Sequence, residues 1–239
     1  MKVAPGTIAV WSDVGCPWAH LAVHRLHAAR RRLGLDYVLT FEHRPFPLEL
    51  VNERPTPRPT LAAEVPVIGA LEPSAGWQVW QAPGWQWPVT TLPALEAVQA
   101  VAAQDVRAAE QLDRGLRVAF FAESRCISLR HVILEVASKC DGVDYEALGG
   151  ALDDGVARRA VIARFEQVRA SDAIKGSPHL FLPDGTDAHN PGIAMHWEGR
   201  AGEGFPVIDD DDPAVYDDLI TRAARERPPT KARQEGDRR

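Results

Sequence analysis

The sequence predicts an α/β domain built on one sheet and interrupted by a long helical insertion. Three observations predict it. Residues 7–46 read as strand, helix, strand. Residues 51–164 open on a proline- and tryptophan-rich stretch and continue as one helical pattern after another. After Lys175-Gly176 short strand patterns return, followed by a closing helix. With 239 residues, of which 45% are hydrophobic, the chain can bury a full core.

The first strand is "TIAVWS", residues 7–12, a short apolar run. A helix follows over 17–33. Pro17 suits its first position, where a backbone N–H has no partner. Leu21, Leu26 and Leu33, with Ala22 and Ala29, form an inner face, and Arg25, Arg30 and Arg32 are expected to reach water. Gly34 is placed to end the helix. "DYVLTFEHRPF" alternates apolar and polar residues as a second strand. A strand–helix–strand unit of this kind implies parallel strands and a right-handed crossover.

"PFPLELVNERPTPRPTL" is expected to break regular structure, and "GWQVWQAPGWQWPVTT" to form loops or short turns. Helices then follow in "LPALEAVQAVAAQD", "RAAEQLDRGLRVAFFAES", "SLRHVILEVASKC" and "DYEALGGALDDGVARRAVIARFEQVRASDA". Thr90 or Thr91, Ser128 and Asp144 are the expected caps. "SPHLFLPDG" and "GIAMHWEG" read as strands, with Asp187, His189 and Asn190 in a turn between them. Asp212 and Pro213 are placed to open the closing helix, and the tail "PPTKARQEGDRR" has the composition of a disordered segment.

Several function classes are excluded at this level. A formal charge of -6 gives no reason to expect nucleic acid as a partner. No apolar run approaches the roughly 20 residues a bilayer-spanning helix needs. "MKVAPGTIAVWSD" lacks the apolar core of a secretory signal, so a cytoplasmic protein is expected. Three widely spaced cysteines, 16, 126 and 140, argue for free thiols over a disulfide framework.

The chemistry is expected at Cys16. It stands in "SDVGCPWA", at the start of a helix whose unpaired N–H groups and dipole favour an anion. That placement lowers a thiol's pKa below its free value of about 8.5, and the thiolate is the nucleophile. The plainer alternative is a small buried residue at a turn. Ser177-Pro178 opens a later strand, and on local grounds its peptide bond is trans or cis.

Together "SDVGCPWAHLAVHRL", "FEHRPFPLEL", "FFAESRCISLRHVILEVASKCDGVD" and "IKGSPHLFLPDG" resemble the DsbA family of thioredoxin-fold oxidoreductases, and within it the FrnE-like branch. The resemblance extends from about residue 7 to 225. It implies a thioredoxin-like fold with a helical insertion, DsbA-like. Residues 1–50 plus 165–228 would form the thioredoxin-like domain, 51–164 the insertion, and 229–239 a disordered tail. It implies a cis proline at Pro178, a catalytic Cys16, and a site for substrate or thiol at Pro17, Trp18, Ala19, Ser177 and Pro178. Asp13 and His20 are candidate modulators.

One residue departs from the family pattern: Ala19 stands where the relatives carry a second, resolving cysteine. Without it no local disulfide forms. Cys16 can still form a mixed disulfide that an external thiol must release. This resembles monothiol glutaredoxin chemistry. It also resembles kappa-class glutathione transferases and 2-hydroxychromene-2-carboxylate isomerases, which place serine where this chain has Cys16. The expected activity is thiol-dependent oxidoreduction or isomerisation at one cysteine. The alternatives are a glutathione-type transferase or isomerase acting on a small aromatic compound, and a redox-inactive binding scaffold. No tightly bound cofactor is expected. The expected partners are a small thiol such as glutathione or mycothiol and a disulfide-containing substrate, with a homodimer allowed.

Other features have simpler readings beside their functional ones. Cys126 and Cys140 sit among apolar neighbours, where free cysteine commonly packs, although either could resolve a mixed disulfide. Cys16, His20, His24 and His27 have helical spacing that could hold zinc, yet no metal is expected. Trp77, Trp80, Trp85 and Trp87 either wall a cleft or pin a loop onto the insertion. "DDDD" at 209–212 suggests a cation site less simply than a helix cap and solvated face.

Overall fold

The computed structural model describes residues 1–225. The expected tail at 229–239 lies outside the described residues. β1 (Thr7–Ser12), α1 (Pro17–Arg32) and β2 (Thr40–Pro45) form the expected unit, with β1 and β2 parallel and Thr7 opposite Thr40. Leu33 caps α1 and is exposed, and Gly34 follows with φ +68°, a conformation that suits glycine. Arg25 and Arg30 do not reach water as expected. Both are buried, Arg25 in a bidentate bond to Asp211 and Arg30 against Glu110 and the Leu39 carbonyl. Long charged side chains can be buried when paired in this way.

The main sheet has four strands in the order β2-β1-β3-β4, with β3 (His179–Phe181) antiparallel to β1 and to β4 (Asp187–His189). β1 is buried on both faces. Ile8 and Val10 pack with Leu26 of α1 and with Leu219 and Ile220 of α9 (Val215–Arg225). Ala9 and Trp11 pack on the other side with Phe46, Val168 and Phe181. β5 (Ile193–Glu198) and β6 (Phe205–Asp211) stand apart as a two-stranded antiparallel hairpin.

Two strands, of three and seven residues, therefore lie where a turn and a helix cap were expected. Asp187 and His189 belong to β4, and Asp209 to Asp211 end β6. Asp212 bonds the Ala214 N–H, but the helix begins only at Val215. The acidic run is largely strand and ion pair: Asp209 meets His196 and Asp211 meets Arg25.

The insertion contains α2 (Leu48–Val51), α3 (Arg58–Leu71), α4 (Leu92–Ala102), α5 (Val106–Phe121), α6 (Arg130–Ala137) and α7 (Tyr145–Asp154). α8 (Val156–Ser171) runs across residue 165 and returns the chain to the sheet. The expectation that the proline-rich stretch breaks structure fails at α3. Pro57 is its N-cap and Pro59 lies in its first turn, where a missing N–H costs nothing. Leu61, Glu64, Val65 and Ile68 form its buried face. The helix continues through Pro66, the one interior proline. Asp144 caps α7 as expected by accepting from Ala147 N. Thr91 stands at the N-cap of α4 without capping through its side chain. Glu49 does so instead, taking the N–H groups of Thr91 and Leu92. Ser128 does not cap α6; its hydroxyl donates to the Thr90 carbonyl.

Candidate active site

Six chain segments meet where α1 begins. Cys16 is the N-cap of α1, with Pro17 in the first turn. The preceding loop is drawn tight by Asp13, whose Oδ1 accepts from Gly15 N and whose Oδ2 accepts from Leu48 N and the Thr91 hydroxyl. Gly15 has no room for a side chain, because a Cβ there would come within 2.8 Å of Thr91 Cγ2. Arg117 of α5, fully buried, donates to the Asp13 carbonyl at 3.0 Å and to Ser12 Oγ at 2.8 Å, while Asp113 holds its other edge. The insertion thus fixes the loop that presents the cysteine.

The opposite wall is the turn before β3. The Ser177–Pro178 peptide bond is cis. Ser177 Oγ accepts from Asp13 N at 3.0 Å, and the Cys16 thiol donates to the Ser177 carbonyl at 3.1 Å. Ala19, one turn into α1, is completely buried. Trp18 Nε1 donates to Glu64 Oε1 at 2.8 Å, which ties the first turn of α1 to α3. A cavity beside the loop is lined by Asp13, Gly15, Leu61, Trp87 and Phe120.

The electrostatics reverse one expectation. Cys16 is 3% exposed, and burial pushes its thiol up to about 12. Bonds from Ser177 and from the Ala19 N–H pull it down, and the nearby charges of Glu64 and Asp13 push it further up. Desolvation of a charged sulfur outweighs the helix end. At rest Cys16 is a protonated donor and not a standing thiolate. Asp13 is likewise raised by burial, against its three hydrogen bonds and Arg117. Glu64, buried with Trp18 as its partner, is raised by desolvation to about 7.

His20 does not turn toward the thiol. It stacks on Phe121, meets Trp77 edge-on and bonds the Ala75 carbonyl, and burial followed by the charge of Arg117 lowers it to about 3. His24 bonds Ser74 and His27 bonds Arg30, and among the described residues no group of three or more His, Cys, Asp or Glu is arranged to hold a metal ion. All three cysteines are free, with Cys126 and Cys140 half-buried. The tryptophans divide: Trp80 and Trp87 pack with Phe120, Trp77 packs with His20, and Trp85 lies exposed.

Two residues that hold the site were missed in the sequence. Glu64 carries no local signal beyond a glutamate between apolar residues. Arg117 could have been noticed as an arginine on the apolar face of a helix, spaced four residues after Asp113.

A family model described as a DSBA-like thioredoxin domain matches residues 7–198. Among solved structures, the chain is similar to a probable DsbA oxidoreductase from Streptomyces coelicolor, at 20% identity and a TM-score of 0.63, covering 95% of this chain and 93% of that one. It is similar to the cytosolic disulfide reductase DsbM from Pseudomonas aeruginosa, at 17% identity and a TM-score of 0.55, covering 92% and 95%. That reductase is also solved with GSH, at 18% identity and a TM-score of 0.51, covering 74% and 86%. A 2-hydroxychromene-2-carboxylate isomerase matches at 15% identity and a TM-score of 0.55, covering 76% and 87%. No curated protein matches in sequence. At these identities the solved structures speak to the fold, a thioredoxin fold with a helical insertion. Among the described residues no helix is long and apolar enough to cross a membrane.

Proposed function

Because this chain belongs to the family of DSBA-like thioredoxin domains, whose members are oxidoreductases or isomerases, we propose that it performs thiol–disulfide chemistry through Cys16 alone, with a low-molecular-weight thiol such as glutathione or mycothiol as co-substrate. The observation that carries this reading is the pairing of the Cys16 thiol with the Ser177 carbonyl beside the cis Pro178, with Ala19 where a second sulfur would stand. The solved form of DsbM with GSH supports a small thiol as the partner.

Cys16 attacks a substrate disulfide and becomes a mixed disulfide while the other half leaves as a thiol. An external thiol then attacks the Cys16 sulfur and frees it. The resting thiol donates to Ser177, so ionisation accompanies attack. The Ala19 N–H and the helix end then hold the charge as it forms. Pro17, Trp18, Ala19 and the Ser177–Pro178 turn form the surface that meets the substrate. The chemistry would then sit in the thioredoxin-like unit, in the cytoplasm.

The test is mass spectrometry after exposure to a panel of cellular thiols and their disulfides. A mixed disulfide on Cys16, released by free thiol and lost in Cys16→Ser, is expected. Adducts confined to Cys126 or Cys140 would overturn the reading. One observation favours a second reading. A buried thiol that stays protonated can donate to the sulfur of a bound small thiol while that thiol acts on an aromatic compound. Tight thiol binding with no adduct on Cys16 would select it. No response at all would select a binding scaffold.

A further inference from the structure

Two tryptophans of the insertion pack and also line an open space. Trp80 and Trp87 meet edge-on with ring centroids 5.0 Å apart, and both pack on Phe120. The same rings wall a cleft of about 70 Å³ between α3 and the segment 78–87. α3 supplies the other wall with Leu61, Ala62 and Val65. Leu61, Trp87 and Phe120 also line the cavity beside Asp13 and Gly15, so the two spaces share a wall.

Two features separate this cleft from finished core. Trp80 is 9% exposed, yet its buried Nε1 donor has no hydrogen-bond partner among the described residues. Buried donors are nearly always paired, and leaving one unmade costs free energy. Arg58, exposed at the start of α3, lines the same cleft, with its guanidinium 5.8 Å from the centre of the Trp87 ring. Among the described residues no carboxylate pairs with it, and the lining of the cleft contains no acidic side chain. The Trp80 ring and the Arg58 guanidinium thus both stand within 6.0 Å of Trp87, and each carries an unspent donor. An apolar trough with these two donors is complementary to an apolar body bearing one anionic group. Size narrows the body. A dry cavity of about 150 Å³ takes a benzene ring. This cleft has about half that room, which admits a linear chain and excludes a ring.

We propose that the cleft between α3 and the segment 78–87 binds an aliphatic monocarboxylate. The carboxylate takes the two free donors, the Arg58 guanidinium and Trp80 Nε1, and the alkyl chain lies along Leu61, Val65 and Phe120. A guanidinium–carboxylate contact supplies direction and charge, and the buried methylenes supply the rest of the affinity. No bond is made or broken. The site is separate from the thiol chemistry proposed for Cys16 and does not rest on it.

The test is a titration of full-length protein, labelled with ¹⁵N at its tryptophan indoles, with butanoate, hexanoate, 1-hexanol and benzoate. Signals are assigned by single Trp→Phe replacements. Hexanoate is expected to shift the Trp80 and Trp87 indole signals saturably. It is expected to bind about 10-fold tighter than butanoate, since each buried methylene is worth about 4-fold, and tighter than 1-hexanol or benzoate. Arg58→Ala is expected to weaken hexanoate by about 5-fold or more and to leave 1-hexanol unchanged. Ala62→Trp places a ring at the exposed rim of the cleft and is expected to abolish binding of both. Equal hexanoate affinity in Arg58→Ala overturns the proposal. So does benzoate binding as tightly as hexanoate, because the cleft then takes a ring. Shifts confined to the exposed Trp85 mean adsorption at the surface and also overturn it. Should Ala62→Trp fail to fold, the chain-length series and Arg58→Ala decide. Cys16→Ser is expected to bind hexanoate as the unsubstituted chain does, and a loss there overturns the separation of the two sites.

Discussion

The Ser177 carbonyl accepts the Cys16 thiol proton at 3.1 Å across a sequence separation of 161 residues. Ser177 Oγ also receives the Asp13 N–H, so one residue grips the loop and the sulfur together. The cysteine at the helix start is held as a protonated donor in a closed site.

Alkylation order follows from that closure. At pH 7 a thiol with a pKa near 12 is ionised in only about one molecule in 10⁵. Iodoacetamide at neutral pH is expected to label the half-buried Cys126 and Cys140 before Cys16, and all three at similar rates in denaturant. Peptide mapping reads the order. Labelling of Cys16 first would mean that the site stands open without substrate.

Ala19→Cys is expected to create a dithiol oxidoreductase. Residues 16 and 19 are neighbours on the first turn of α1. A sulfur at 19 can attack a mixed disulfide on Cys16 and release the bound thiol. The variant should lose two thiols on mild oxidation and reduce insulin with a dithiol reductant. The unsubstituted chain should do neither without added small thiol. Equal performance by both would mean that a distant cysteine already resolves Cys16.

Arg117→Met is expected to destabilise the fold by about 3–5 kcal/mol, because it strands a buried partner. Burial alone would raise the Asp113 carboxyl, but the Arg117 guanidinium, with His43, holds it below its usual value. Adding Asp113→Leu should recover much of the loss. Urea unfolding measures both. A loss under about 1 kcal/mol in the single variant would show that water reaches Asp113.

His20 predicts an acid-side weakness. Its folded pKa, about 3, lies below the value near 6.5 of an unfolded histidine. The unfolded chain therefore binds the extra proton, and stability falls as pH drops from about 6.5 toward 3, by up to about 1.4 kcal/mol per pH unit. His20→Phe keeps the aromatic contacts with Trp77 and Phe121 and removes the proton. The urea midpoint should drop less between pH 7.5 and 5 in the variant. Parallel drops would show that His20 is protonated in the folded state.

The parts of the fold that could be read in the sequence are those where local signals agree. Apolar runs at β1 and β2, Pro17 opening α1 and Gly34 closing it all match the structure. The parts that could not be read depend on partners far along the chain. The prolines before α3 look like breakers until they are seen at the N-cap and first turn, and then they are starters. β4 is short and β6 ends in three aspartates, so their pairing is set by the neighbouring strand and not by their composition. At Cys16 the sequence shows the helix end that favours a thiolate. It does not show the burial that opposes it more strongly. Glu64 is harder still, since its meeting with Trp18 exists only once α3 packs on α1.

The placement of β3 between β1 and β4 sets an order of events at the ribosome. α1 and its cysteine emerge early, but the strand that completes the central sheet, with the carbonyl that orients the thiol, begins at His179 and its preceding turn. At ordinary elongation rates roughly ten seconds separate the two. Through that interval Cys16 has neither its carbonyl partner nor a closed sheet beside it. Its acidity is then that of an ordinary exposed thiol, far greater than in the finished protein. The most protected sulfur of the folded molecule is thus open to oxidants and metals while the chain is being made, and the completed turn at Ser177 ends that exposure.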